Sequence, residues 1–528
     1  MSFRPLLAGL AVILAVACAD NAIDSPRPGP DGLADTDTAA PVCVGTALAV
    51  FEGDRPIVVF DCAEEGWDCD AGRCVTTAPE TDAEVQYRER LTALVHDNAA
   101  VVMEFDRFGG WANHPPELGP KSPGEFFRVA QRAGRWWFIT PEGNPFVSKG
   151  VTDVEWLGSH LGHDEWHQGL VDKFGDEETW AADAEARARG WAFNTIGPWS
   201  SHSMTTRMPH TVVILDAAGH APRYRPEDVI TDYWSDEFAT NAEQVVRERA
   251  APYVDDEFLL GYFLDNELVW EPNGWQTDKT VLQLYWEFPE DAPGRAVLRT
   301  HLQDNAADLA DFNATWLTEL ADFDELPALP SAALRPRTAQ AEEVTEAFAL
   351  AAFHQYATVA TAALRALDPH HLLLGCRFST YHNDALMRAA AEHFDVISIA
   401  FYSPVPPTAE LDDIAAQVAK PFLIEEFSFK ARDSGLMNIL NYAPVVETQK
   451  ERGLEYDAYV GAFMRRPNAV GYHWYKWHDN PARPDHILAG DNFGLMNVRD
   501  DPYAPFVTMV REVNRRIEWW HFAGVDLP

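Results

Sequence analysis

Positive charge and long apolar runs are both scarce in this chain of 528 residues. Lys and Arg number 41 against 82 Asp and Glu, and the formal net charge is −41 at pH 7. Such a surface repels nucleic acid, so we interpret the charge as a source of solubility, not of substrate recognition. An apolar run at 6–16 is too short to span a bilayer as a permanent helix.

That apolar run follows Arg4 and ends in Leu14-Ala-Val-Ala-Cys18. A cysteine after small residues in this position resembles a bacterial lipobox, in which Cys18 is lipidated and becomes the mature N-terminus. We therefore predict a lipoprotein signal peptide at 1–18 and a flexible linker at 19–41. The protein would be exported to the cell surface or periplasm and would touch the membrane only through the lipid. Plain secretion after cleavage near Ala17 is the alternative.

Cysteine is rare as well, with six in the chain. Four of them fall within a short segment that we predict to be a small module at 42–78: Cys43, Cys62, Cys69 and Cys74. Export permits disulfides, so these four predict two bridges, with three pairings open. A zinc knuckle is a less favoured alternative. Cys376 lies in a predicted strand and is expected to be a buried free thiol.

The rest of the chain alternates strand and helix patterns. Eight apolar segments predict strands at 146–151, 193–197, 211–215, 258–264, 372–377, 396–401, 422–424 and 469–474. Helical spacing predicts helices at 178–189, 237–250, 341–367, 384–393, 411–419, 446–464 and 503–517, with at most a short helix at 200–209. This order predicts an α/β fold, a (β/α)8 TIM barrel at 126–528, after a lead-in segment at 79–125 and with a helical insertion at about 271–338.

Two of the predicted strands run directly into carboxylates. Asp265-Asn266-Glu267 ends the fourth strand and Glu425-Glu426 ends the seventh. Either motif alone would be read as a polar turn or as acids opening a helix. Together they place two carboxylates at the C-terminal rim, where barrel enzymes keep their chemistry. Retaining hydrolysis of a glycosidic bond needs such a pair, one to protonate the leaving oxygen and one to attack the anomeric carbon.

Several motifs resemble one family, the agar-degrading glycoside hydrolases of family 50. They include Phe193-Asn-Thr-Ile-Gly197, Gly261-Tyr-Phe-Leu-Asp-Asn-Glu267 and Glu426-Phe-Ser-Phe429. Further matches lie at 106–111, 134–150, 311–316, 395–398, 471–475 and 501–503. The resemblance implies that Glu267 is the acid/base, Glu426 is the nucleophile and Asn266 contacts the sugar 2-hydroxyl. The family usually has Gly where this chain has Glu425, and strand alternation predicts that Glu425 projects to the opposite face from Glu426.

Further substrate contacts are expected around the rim. Tyr402 is a candidate to hydrogen-bond the nucleophile, and Trp474 is a candidate sugar platform. The loop 473–494 combines flat rings and polar tips, which suit a carbohydrate. The complete set of expected binding residues, besides Asn266, is Asp153, Asn194, Trp199, Tyr402, His473, Trp474, Lys476, Arg483, Asp491 and Asn492. The chain departs from the family at Lys476, at Trp477, which could equally belong to a core cluster, and in an insertion at 484–490.

A histidine-rich cluster after the first strand invites a metal interpretation that we do not favour. It comprises His160, His163, Asp164, Glu165 and His167. The pair His163 and His167 has zinc-like spacing, but Asp164 stands where the zincin motif has Glu. We expect a solvated loop at the rim of the cleft, and neither a metal nor a cofactor.

The sequence therefore predicts a retaining β-glycoside hydrolase that acts on agarose or neoagaro-oligosaccharides. The insertion at 271–338 would favour cutting from chain ends by walling off one end of the site. A β-galactosidase or other β-glycosidase of the same clan is one alternative. A surface lipoprotein that binds polysaccharide without catalysis is another, although a binder has no use for two catalytic glutamates.

Overall fold

Two disulfides organise the first described segment of the computed structural model. The described residues are 41–52, 55–157, 164–214, 229–480 and 490–524. An antiparallel sheet contains β1 (Val42–Val44), β2 (Ala47–Glu52) and β3 (Arg55–Asp61), and a hairpin contains β4 (Asp68–Asp70) and β5 (Arg73–Val75). The bridges join Cys43 to Cys69 and Cys62 to Cys74. The two predicted bridges are confirmed and their pairing is settled, whereas Cys18 and the rest of 1–40 lie outside the described residues.

Helix α1 (Asp82–Ala100) connects this module to the remainder of the fold. Thr81 and Glu84 form a capping box that satisfies the first backbone N–H groups of the helix. Its buried Tyr87 lies 6.1 Å from the ring of Trp67 in the module and donates a hydrogen bond of 2.6 Å to the Pro505 carbonyl. A three-stranded antiparallel sheet follows: β6 (Arg128–Arg132), β7 (Arg135–Ile139) and β8 (Pro145–Phe146).

The central sheet has eight parallel strands, as predicted. They are β9 (Ser148–Val151), β10 (Thr195–Ile196), β11 (His210–Val213), β12 (Leu259–Phe263), β13 (Leu372–Leu373), β14 (Ile397–Ala400), β15 (Phe422–Phe427) and, later in the chain, β18 (Ala469–Trp474). Strand β18 pairs with β9, so the last strand lies beside the first. A parallel bridge between Phe378 and Ile399 joins the segment after β13 to β14. The sheet is therefore curled and TIM-barrel-like.

Apolar side chains fill the end of this sheet at which the strands begin. Leu260, Leu423 and Val470, each the second residue of its strand, pack with Phe138 and Phe146 of the β6–β8 sheet. The antiparallel sheet thereby covers the N-terminal end of the strands. The C-terminal end is left for polar chemistry. Strands β16 (Lys430–Ala431) and β17 (Val445–Val446) form a small parallel pair beyond β15.

Helices surround the sheet, most of them at the predicted positions, although the first and the last of those that follow were not predicted. They are α2 (Asp164–Phe174), α3 (Glu177–Gly190), α4 (His202–Thr205), α5 (Asp236–Ala250), α6 (Val281–Trp286), α7 (Pro293–Asp304), α8 (Leu309–Trp316), α9 (Ala339–Leu367), α10 (Asp384–His393), α11 (Thr408–Ala415), α12 (Gln449–Met464), α13 (Ala504–Asn514) and α14 (Ile517–Ala523). The predicted short crossover helix is α4, and the predicted helical insertion contains α6, α7 and α8.

Helix α9 is, within the described residues, the one helix long and apolar enough to span a membrane by length and composition. Its apolar face packs into the protein core through Phe348, Phe353 and Tyr356. Such burial is what a core helix of a large α/β domain requires.

Candidate active site

The C-terminal ends of four strands meet around the side chain of Arg377. This residue follows β13 and its guanidinium is fully buried. Its Nε donates a hydrogen bond of 2.6 Å to Oδ1 of Asn266, and Nη2 donates to Oε1 of Glu426. Nη1 lies 2.8 Å from Oε2 of Glu425. One cation thus joins the motif after β12 to the motif at the end of β15.

Backbone strain is concentrated at the same place. Asp153, Trp199, Glu267 and Arg377 follow β9, β10, β12 and β13, and all four have positive φ between 51° and 60°. Residues other than glycine seldom adopt this conformation, and it persists where the surrounding structure enforces it. The amide of Glu267 donates a hydrogen bond of 2.9 Å to the Arg377 carbonyl, which fixes one of these turns against another.

Glu267 has the protonation behaviour of a general acid. Burial, and after it the charge of Glu426, raise its pKa to about 7 against the opposing charge of Arg377. Its neighbour Asp265 points instead toward the helices, where it accepts a hydrogen bond of 3.0 Å from the Tyr356 hydroxyl of α9. Residues two apart in a regular strand share a face, but the positive φ of Glu267 interrupts the extended backbone, so Glu267 turns toward Glu426 while Asp265 is anchored against α9.

Glu426 is held as a carboxylate acceptor on two sides. Tyr402 donates a hydrogen bond of 2.6 Å to Oε2, and Arg377 donates to Oε1. Burial raises the pKa of Glu426, while Arg377 and the Tyr402 hydroxyl lower it. The net effect is a pKa above the ordinary value, because burial outweighs the two donors, and both carboxylate oxygens are oriented by them.

The prediction that Glu425 projects away from Glu426 is wrong. Glu425 is fully buried beside Arg377, on the same side as Glu426. The reason lies in the strand, because the register of β15 shifts between Ile424 and Phe427 in its pairing with β18. Such a bulge breaks the alternation of side chains and lets two consecutive residues face the same way. Burial raises the pKa of Glu425 well above its ordinary value.

A second buried ion pair lies near Glu426. Lys476 donates a hydrogen bond of 2.5 Å to Oδ2 of Asp153, and both side chains are almost completely buried. The charge of Asp153 contributes to the raised pKa of Glu426, which places the pair near the site. Glu155 is half-buried near this pair, and burial with the charge of Asp153 raises its pKa to about 7.

Aromatic rings line the same region. The guanidinium carbon of Arg377 lies 4.6 Å from the centre of the half-buried Trp199 ring. On the Glu426 side, the ring of Tyr402 lies 4.9 Å from Tyr442 and 6.2 Å from Tyr475. Tyr442 is 41% exposed, so part of this cluster is open to a ligand. Flat amphipathic rings of this kind suit the C–H faces and hydroxyls of sugars.

Arg377, Tyr442 and Tyr475 are site residues that sequence reasoning missed. Tyr475 ends a recognised motif and could have been identified from its place directly after the eighth strand. The sequence marks Arg377 more weakly as a site residue, because it is only a single cation at the end of a predicted apolar strand. Tyr442 lies in the long segment between β16 and β17, where no pattern marks it.

Trp474 does not face the cleft, so its predicted role as a sugar platform is corrected. Its ring is fully buried and lies 5.7 Å from Tyr456 of α12 and 4.9 Å from Phe506 of α13. Its indole Nε1 donates a hydrogen bond of 3.0 Å to the Phe493 carbonyl. Trp477 is buried too, against Trp191 at 5.5 Å. Both tryptophans belong to the packing between sheet and helices.

His473 points into the interior of the curled sheet. Its Nε2 lies 2.8 Å from the Ser148 hydroxyl, and burial lowers its pKa to about 3. A side chain on Gly150 would overlap the ring, so this glycine makes room for the histidine. His473 therefore lies fully buried, as a neutral ring.

Asn194 precedes β10 and lies toward the opposite end of the strands from Glu267. Its Oδ1 accepts a hydrogen bond of 2.8 Å from the Lys149 amide, and its Nδ2 donates to the Val147 carbonyl at 2.9 Å. It is buried and contacts Gly109 of the lead-in segment. The predicted sugar contact is corrected to an internal tie between β9 and β10.

Asp491 and Asn492 have internal partners as well. Asp491 accepts a hydrogen bond of 2.9 Å from Lys430. Asn492 accepts from the Ala431 amide at 3.0 Å and donates to Asp479 at 2.9 Å. Both are fully buried, so they hold the loop after β18 against β16 and do not contact a sugar. Arg483 lies outside the described residues.

Two members of the histidine-rich cluster, His160 and His163, lie outside the described residues. Asp164, Glu165 and His167 lie on α2, so the expected loop is a helix from Asp164 onward. Within the described part of the chain, no group of three His, Cys, Asp or Glu side chains is arranged to hold a metal. His167, on α2, packs its ring 5.4 Å from Trp156.

Comparison with known proteins finds similarity to β-agarases, as the sequence motifs do. No family model matches the chain. Beta-agarase A of Vibrio sp. (strain JT0107) is 24% identical over 506 residues, which cover 81% of this chain and 50% of that protein. Beta-agarase B of the same strain is 24% identical over 485 residues, covering 78% and 50%. The chain spans about half the length of the curated relatives it matches.

Solved structures show the same fold. The structure described as an exo-beta-agarase superposes with a TM-score of 0.69 at 20% identity, covering 88% of this chain and 73% of that chain. The agarase AgWH50C gives a TM-score of 0.66 at 22% identity, covering 87% and 73%. PfGH50B gives 0.68 at 19% identity, covering 90% and 77%. The predicted resemblance to β-agarases is confirmed by the curated relatives, and the solved structures share the fold.

Proposed function

We propose that this protein is a retaining β-glycoside hydrolase that cleaves β-1,4-galactosidic bonds in agarose or neoagaro-oligosaccharides. The similarity to β-agarases supports the substrate class. The observation that carries the reaction class is local. Glu267 follows β12 and Glu426 lies in β15; one guanidinium binds both Glu426 and Asn266, the residue before Glu267, and the charge of Glu426 raises the pKa of Glu267.

In the first step Glu426 attacks the anomeric carbon while Glu267 passes its proton to the leaving oxygen. The pKa of Glu267 at about 7 keeps that proton available near neutral pH. Tyr402 and Arg377 hold the two oxygens of Glu426 in place, so the attacking carboxylate loses little freedom on reaction.

In the second step the ester at Glu426 carries no charge. The pKa of Glu267 then falls, because one of the two causes that raise it has disappeared. Glu267, now a carboxylate, takes a proton from water, which attacks the glycosyl-enzyme and releases the sugar with its original configuration. A single residue thus serves as acid and then as base.

Sugar recognition would use the groups that surround this pair. Oδ1 of Asn266 accepts from Arg377, so its amide nitrogen is the group we assign to a sugar hydroxyl. Trp199, Tyr442 and Tyr475 supply rings for stacking. The helical insertion carries α6, α7 and α8 directly after the acid/base, and we propose that it limits one end of the cleft and favours cleavage from chain ends.

We also propose, from the sequence alone, that the protein is exported and lipidated at Cys18. The two disulfides suit an oxidising compartment. Mass spectrometry of the membrane-extracted protein tests this proposal. An N-terminal diacylglyceryl-cysteine is expected, and a free amino terminus downstream of Cys18 would contradict it.

The function is tested with agarose, neoagarohexaose and an aryl β-galactoside, with product size followed by mass spectrometry and the first anomer by NMR. Wild type should release neoagaro-products in the β-configuration first, whereas Glu267→Gln should not. Glu257→Gln is the matched control, because this glutamate is exposed and pairs with Arg107 at the other end of the strands. Cleavage of the aryl galactoside alone would favour a β-galactosidase, and binding without any cleavage would favour a binding protein.

A further inference from the structure

Glu425 is a buried carboxyl group that the two-step reaction leaves without a task. It is fully buried, and Nη1 of Arg377 lies 2.8 Å from its Oε2. The same guanidinium serves Glu426 through Nη2 and Asn266 through Nε. Three polar groups therefore contact the three nitrogens of one planar guanidinium. Because the group is rigid, moving any one of the three contacts reorients the guanidinium with respect to the other two.

The strand is bent to bring Glu425 to this position. The register of β15 shifts between Ile424 and Phe427 against β18, and between Ile399 and Ala400 against β14. Without that bulge, a side chain next to the nucleophile would project toward the helix layer, where Phe427 stacks on Tyr459 at 4.6 Å. Bulges beside active sites commonly redirect a side chain in this way.

We propose that Glu425 is a positioning residue that holds Nη1 of Arg377, so that the other two donors of the guanidinium are directed at the nucleophile and at Asn266. The inference rests on the proposed function, since it assigns Glu426 as nucleophile. It goes beyond that function because no step of the two-step reaction requires a carboxyl group at residue 425.

The charges around Glu425 indicate the form in which it does this. Arg377 is the cation beside it, Glu426 and Glu267 are the carboxylates facing it from β15 and β12, and the Cys376 thiol lies close by. His473, on β18, is neutral because burial and Arg377 lower its pKa to about 3. Two ionised carboxylates on one buried cation leave excess negative charge, which is costly. Glu425 therefore holds a proton and offers a neutral carbonyl oxygen to Nη1.

Three substitutions at residue 425 test separately the length of the side chain, its carboxyl group and its volume. Glu425→Gln keeps the length and a carbonyl acceptor but removes the carboxyl group. Glu425→Asp keeps the carboxyl group but is one methylene too short to reach Arg377. Glu425→Leu keeps the bulk and removes the acceptor. We expect Glu425→Gln to stay within threefold of wild type in kcat/KM, and the other two to lose at least tenfold, about 1.4 kcal/mol of transition-state stabilisation.

Titration supplies a readout that a purely structural role would not move. A misdirected Arg377 stabilises the Glu426 carboxylate less, so the pKa of Glu426 rises and the acid limb of kcat/KM moves to higher pH in the Asp and Leu variants. The Gln variant should keep the wild-type limb. Carboxyl ¹³C NMR of the free enzyme measures the same shift without substrate, so failure of the substrate assignment and failure of this proposal are told apart.

Two results would overturn the proposal. One is a Glu425→Gln enzyme that loses activity as severely as Glu425→Leu, which would mean that the charge of Glu425 is required. The other is a Glu425→Asp enzyme with wild-type rate and titration, which would mean that the contact with Nη1 is dispensable. Glu425→Gln is close to isosteric with wild type. It therefore shows whether the charge of Glu425 is required even where Glu425→Leu fails to fold.

Discussion

Removal of the Glu426 charge should lower the pKa of Glu267 in the free enzyme. The substitution Glu426→Gln preserves shape and removes one negative charge. In wild type the pKa of Glu267 is about 7, raised first by burial and second by Glu426. Burial is unchanged in the variant, so only the second contribution disappears.

The size of the change follows from the charges. Carboxyl groups of retaining glycosidases lie about 5 to 5.5 Å apart. At an effective dielectric constant of about 20, two unit charges at that distance interact by about 3 kcal/mol, which corresponds to about 2 pKa units. Arg377 loses its partner in the variant and then acts more strongly on Glu267, in the same direction. We therefore expect a fall of about 2 units.

The assay is carboxyl ¹³C NMR across pH 3 to 9 on protein with labelled glutamate, assigned with Glu267→Gln. Glu425 could ionise once Glu426 is neutral and restore part of the charge, so the double variant Glu425→Gln, Glu426→Gln is measured beside the single one. Glu257→Gln is the control for loss of a remote charge. A Glu267 pKa that stays at its wild-type value in both variants would refute the argument that Glu426 sets the protonation of the acid.

Two further predictions concern residues whose placement the structure changed or specified. Tyr402→Phe removes a hydrogen bond of 2.6 Å to the Glu426 carboxylate. Such a contact is worth about 1.5 to 3 kcal/mol, so kcat/KM should fall about 10- to 150-fold. The pKa of Glu426 should rise, which moves the acid limb of kcat/KM to higher pH. Tyr459→Phe, which removes a hydrogen bond to the Phe401 carbonyl in the helix layer, is its control, and equal losses in both variants would contradict a specific role. Trp474→Phe should lower the free energy of unfolding by about 1 to 3 kcal/mol in denaturant titrations and leave KM unchanged, because the ring is buried; a raised KM with unchanged stability would restore it as a sugar platform.

The architecture was predictable because its signals are local. Strands such as β12, β14 and β15 are buried on both faces and therefore begin as short apolar runs, which turn residues or carboxylates end. Glu267 and Glu426 were identifiable because each directly follows such a run. The helices α5, α9, α10 and α12 were identifiable from spacing and from the scarcity of internal proline.

The errors have physical causes that can be named. Glu425 was assigned to the wrong face because a bulge, which a single sequence does not reveal, breaks the alternation in β15. Trp474 could have been placed correctly from alternation alone, since His473 faces the interior of the sheet and its neighbour must then face the helices. Arg377 was missed because its role comes from contacts with residues more than 45 positions away, and no local pattern encodes those.

The most direct test of the central claim is to trap the glycosyl-enzyme. A fluorinated galactoside that forms the covalent intermediate faster than it is hydrolysed is incubated with wild type, and the labelled peptide is sequenced by tandem mass spectrometry. The account predicts a single sugar adduct on Glu426, with none on Glu425 and none in Glu426→Gln. An adduct on Glu425, or turnover of the substrate with inversion and no adduct, would contradict it.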